Sequence, residues 1–89
     1  MQNYLKYSAE FDKIKGRGKG EQREKQRAIY IAAAFLHDNN INYPEPGAEQ
    51  KAAAALEQYP EPEREQFNKS LQFFFDVMGR LKDRLNISN

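Results

Sequence analysis

Eighty-nine residues suffice for one domain with one core and leave little for a second unit. With 39% hydrophobic and 30% charged residues, the composition is that of a folded domain rather than a disordered tail. The chain has no cysteine, which excludes disulfides and thiolate metal sites, and its net charge of +1 conceals strong segregation. Residues 1–27 hold eight Lys/Arg against four Asp/Glu, residues 28–67 two against seven, and residues 68–89 four against two. Such asymmetry points to a polyanionic partner at one end, or to a basic arm that folds onto an acidic middle. The start of the chain lacks the apolar stretch of a secretory signal, and no run approaches the ~20 apolar residues of a membrane span. The expected location is the cytoplasm, with the Asn-x-Ser triplets at Asn68 and Asn86 read as chance.

In chain order, Tyr4, Tyr7, Phe11 and Ile14 step by three and four, one stripe of a helix over about 3–15. A basic glycine-rich loop at 16–20 ends it, because each interior glycine costs a helix ~1 kcal/mol against alanine. A second helix is expected over 21–38. Ala28, Ile29, Ile31, Ala32, Phe35 and Leu36 gather on its apolar side, and Arg23, Arg27, Tyr30, Ala34 and His37 on the side expected to face solvent. Asn39 and Asn40 are a plausible stop, since asparagine tolerates the left-handed conformation. A rigid connector at 41–47 leads to a short Ala-rich helix over 47–58, whose modest face is Ala52, Ala55, Leu56 and Tyr59. The segment from Tyr43 to Gln50 is then repeated from Tyr59 to Gln66, with Tyr-Pro-Glu-Pro identical in both copies. The repeat reads as one helix-entry device used twice, with proline in the first turn.

The last helix, over 62–86, has the clearest pattern. Phe67, Leu71, Phe74, Met78, Leu81 and Leu85 step by 4, 3, 4, 3 and 4, a seam of the coiled-coil type. Phe73, Phe75 and Val77 widen its apolar face. Either neighbouring helices cover both flanks, or one flank is exposed and binds a partner or a second copy in a homodimer through this helix. The expected fold is therefore all-α: three main helices plus the short Ala-rich one, packed around the long C-terminal helix.

The residues of catalysis do not occur in workable sets. The single histidine, His37, falls at a helix C-terminus, where a protonated imidazole complements the helix dipole. The serines lie in no nucleophile-elbow setting. The glycine run is no P-loop, since no Gly-Lys-Ser/Thr closes it. No enzyme activity, metal or cofactor is expected. Helix-turn-helix recognition is disfavoured by the five-residue glycine-rich link, and ribbon-helix-helix by the missing N-terminal strand.

Two binding surfaces remain. The first is basic: Lys13, Lys15, Arg17 and Lys19 around the glycines, then Arg23, Arg27 and Tyr30 on the following helix. Glycines let backbone amides approach an anion, and the helix start points its positive end the same way. Phosphates would be gripped there without sequence readout, and Tyr30 would offer a ring for stacking. The second surface joins the acidic Glu61, Glu63 and Glu65 to the aromatic flank of the last helix, with Phe73 and Val77 as anchors. The expected function is that of an accessory or regulatory protein contacting nucleic acid or a nucleoprotein machine. The alternative is a protein-binding adaptor or inhibitor, of the kind bacteriophages encode against host nucleic-acid-processing or defence complexes.

Overall fold

Four helices make up the chain in a computed structural model that describes residues 3–14, 19–43 and 45–87: α1 (Asn3–Asp12), α2 (Gly20–Asp38), α3 (Ala48–Leu56) and α4 (Glu61–Ile87). Among the described residues there is no strand, and no helix is long and apolar enough to cross a membrane.

α1 and α2 form an antiparallel hairpin. Tyr7 donates to Asp38, Tyr30 to Glu10 and Arg27 to Asp12, so positions advance along one helix as they retreat along the other. α2 ends by the asparagine device. Asn40 adopts φ 57°, the Ile41 N–H reaches back to the Leu36 carbonyl at 2.9 Å, and the Asn40 N–H to that of His37 at 3.1 Å. This pair of bonds is a Schellman motif, completed by Ile41 and Leu36, which are both buried in the core.

The repeated Tyr-Pro-Glu-Pro segment behaves differently in its two copies. After Tyr59 the helix begins at once, with Pro62 inside the first turn of α4. After Tyr43 the chain turns through 45–47 and α3 starts only at Ala48. The cause is the next residue. Gly47 adopts φ 84°, left-handed backbone that glycine takes readily, whereas the equivalent Glu63 continues the helix. The two tyrosines nonetheless do the same work. Tyr43 packs on Phe74 and Phe75, and Tyr59 on Phe35 and Phe67. Arg64 of α4 closes α3, donating to the carbonyls of Leu56 at 3.2 Å and Tyr59 at 2.9 Å.

The largest helix contact joins α2 to α4, and α4 also meets α1 and α3. Phe67, Leu71 and Phe74 of the seam are buried with Ile31, Ala32, Phe35 and Leu36. Further along, the seam leaves the core: Met78 is half-buried and Leu81 is 46% exposed. Length explains this, because the 27 residues of α4 extend about 40 Å against about 28 Å for the 19 of α2. Phe67 is fully buried among four other rings. Phe67→Ala is therefore expected to cost about 3–5 kcal/mol of stability, read from the urea midpoint of the far-ultraviolet signal, while Leu81→Ala leaves that midpoint within about 0.5 kcal/mol.

Candidate nucleic-acid interface

The glycine-rich connection joins the end of α1 to the start of α2 in sequence, and the two helix ends beside it form the tip of the hairpin. Lys13 and Lys19, which flank it, are exposed and make no ion pair among the described residues. Lys15 and Arg17 lie outside the described residues. Lys19 precedes α2 in extended conformation (φ −140°) and its side chain makes no capping hydrogen bond. The first turn of α2 thus has no side-chain acceptor from that position for its N–H groups.

Arg23, Arg27 and Tyr30 are not on a solvent-facing stripe, contrary to the reading of the sequence. α1 covers them, and its last residues supply the partners. Arg23 Nη2 and Arg27 Nη2 both approach one oxygen of Asp12, at 3.5 and 2.6 Å. Arg27 also pairs with Glu24. Both guanidiniums lie over the ring of Phe11, 4.8 and 5.8 Å from its centroid. Their side chains are only 25% and 22% exposed, whereas Asp12 is 50% exposed. The hydrogen bond from Arg27 holds the Asp12 carboxyl below its ordinary range, and the same bond raises the Arg27 guanidinium. Tyr30 packs on Phe11 with the rings tilted by 50° and donates to Glu10 at 3.2 Å, so the half-buried side chain is engaged with α1.

The acidic and aromatic surface also changes. Glu61 and Glu65 are exposed and border a groove between α3 and α4, with Ala53 and Leu56 among its lining residues. Glu63 is 3% exposed and turns into the protein, so it is not available to a partner. Its position one helical turn before Phe67 places it on the buried face. Phe73 and Val77 are half-buried, and Val77 shares a shallow surface groove with Arg80, Leu81 and Arg84.

Sequence reasoning missed Phe11 and Asp12 as the partners of the arginines, and a second contact between α1 and α2. Tyr7 donates to Asp38 at the edge of a cleft that Lys6, Glu10, Tyr30 and His37 also line. His37 Nδ1 lies 3.5 Å from the other carboxylate oxygen. No signal local to either helix marks these pairs, since each needs the antiparallel hairpin to form.

The hydroxyl of Tyr7 holds the Asp38 carboxyl below its ordinary range, with His37 and Lys6 adding to the effect. Burial, then the bond to Asp38, pushes Tyr7 up. A carboxylate whose folded pKa is depressed stabilises the fold above its ordinary value of ~3.9 and loses that contribution as pH falls through the folded value. The raised Tyr7 contributes below ~10 and loses its contribution as pH rises. Tyr7→Phe is expected to cost about 1 kcal/mol at neutral pH. It should also move the Asp38 midpoint up toward its ordinary value in a carboxyl NMR titration, and flatten the acid limb of the stability curve.

The sequence matches no family model, and no characterised protein or solved structure shows significant similarity to it.

Proposed function

We propose that this chain is a non-enzymatic accessory protein that contacts the phosphate backbone of nucleic acid, free or within a nucleoprotein complex, through the tip of the α1–α2 hairpin. One observation carries the reading. The acids that dilute the basic run are engaged elsewhere: Asp12 with Arg23 and Arg27, Glu24 with Arg27, and Glu21 with Lys25 at 3.7 Å. The segment from Lys13 to Gly20 contains four cations and no acid. A phosphate approaching the tip therefore meets Lys13 and Lys19, neither of which pairs with a carboxylate among the described residues. Contacts of this type position a nucleic acid without reading its sequence, which suits an accessory to a larger machine.

A second reading, a protein-binding adaptor or inhibitor, draws on the far end of α4, where Leu81 continues the seam into solvent beside Val77. The same seam is the surface through which two copies would pair. Under this reading Phe73→Ala or Val77→Ala weakens a protein complex and changes at the hairpin tip do not.

Fluorescence anisotropy of labelled single- and double-stranded oligonucleotides, at low and near-physiological salt, tests the first reading. Binding should weaken steeply with salt. Lys13→Ala with Lys19→Ala should lower the slope of log K against log salt by roughly two on double-stranded DNA. Adding Lys15→Ala and Arg17→Ala should abolish binding. Absence of binding by the native chain at low salt would exclude free nucleic acid as its ligand.

A further inference from the structure

We propose that Arg23 and Arg27 form a latent phosphodiester site, with the Asp12 carboxylate occupying the place of the phosphate until a nucleic acid displaces it. The inference rests on the reading of the hairpin tip as a phosphate-contacting surface and adds how that surface is gated.

The arrangement is that of an anion site already filled. Two guanidiniums one helical turn apart converge on a single carboxylate oxygen, at 3.5 and 2.6 Å. Both guanidinium carbons lie over the Phe11 ring, 4.8 and 5.8 Å from its centroid, which places the two groups side by side at the end of α1. Arg27 Nε is buried and has no hydrogen-bond partner among the described residues, so the site holds a donor that Asp12 does not use. A phosphodiester brings two non-bridging oxygens to a fork of donors, a better match than one carboxylate oxygen. Asp12 is more open to water than either arginine, and it closes α1 immediately before Lys13. A backbone drawn to Lys13 and Lys19 arrives beside the one group that must move. With Asp12 and Glu24 in place the two arginines are neutralised, which is why the site is silent in the closed hairpin.

A purely structural ion pair makes the opposite prediction for one substitution. Asp12→Asn removes the competing charge with almost no change of shape, and Glu21→Gln removes an equal charge from the exposed Glu21–Lys25 pair. The full chain, its fold checked by circular dichroism, is titrated with a labelled single-stranded oligonucleotide as above. Asp12→Asn should tighten binding by about fivefold or more, where Glu21→Gln gains no more than about twofold from bulk charge. Arg23→Gln with Arg27→Gln should cancel the gain in the Asp12→Asn background and weaken binding by the native chain as well. In the native chain, the Arg27 side-chain N–H resonance should shift as oligonucleotide saturates the tip, a readout that needs no variant. If the native chain binds but Asp12→Asn gains no more than Glu21→Gln, or the Arg27 resonance stays still at saturation, the latent site is wrong and the tip reading survives. If neither the native chain nor Asp12→Asn binds, both fall.

Discussion

The fold depends on one aromatic contact set. Phe67 has no exposed surface, and its ring is met by Tyr4 and Tyr7 from α1, Phe35 from α2 and Tyr59 from the connector before α4, with centroids 4.9–5.8 Å away. Ring pairs at these separations and tilts add to the burial energy of each side chain. A domain of this size has little apolar surface to spend on separate cores. Gathering α1, α2 and the connector on one ring is how it obtains a single core from short elements. α3 needs no comparable anchor. Its buried alanines let it lie close to α4, and Arg64 ties off its end.

That arrangement leaves α1 with two tasks. Its tyrosines face Phe67, while Phe11 and Asp12 at its other end face α2. Phe11 is almost fully buried yet stands apart from the main core cluster, because its cover is made of the Arg23 and Arg27 guanidiniums and the Tyr30 ring. A hydrophobic side chain roofed by charged groups is held by contacts that water and anions can compete for, unlike the ring-on-ring contacts around Phe67. The hairpin is thus fastened firmly at its Tyr7 end and by exchangeable charge at its tip.

Periodicity made the helices legible. Tyr7 and Phe11, Ile31 and Phe35, and Phe67, Leu71 and Phe74 are buried, and the asparagine stop at the end of α2 has the left-handed geometry that its residue type implies. What could not be read was which second face of α2 would be covered. Arg23, Arg27, Tyr30 and Ala34 form a stripe that is polar by composition, and burying it requires a partner with matching acids and a ring. Asp12 and Phe11 provide both, but they are adjacent residues whose match to α2 exists only after the chain reverses. Glu63 shows the reverse error. As one of three acids at a helix start it resembles a solvated cluster, yet the seam position a turn before Phe67 decides its burial. In the repeat, one residue separates the two outcomes: glycine at 47 permits a left-handed turn that glutamate at 63 does not.

The charges of the hairpin follow from the same arrangement. Its titratable groups meet in pairs that satisfy one another: Asp12 with two arginines, Asp38 with Tyr7 and His37, Tyr30 with Glu10. These pairs lie at the α1–α2 contact, where one helix must be held against another without a large apolar interface. The shifts hold each pair in its bonded state, with Asp12 and Asp38 kept ionised and Arg27 kept charged. Electrostatics at this contact therefore serve to fasten a hairpin, and among the described residues Lys13 and Lys19 stand exposed outside those pairs.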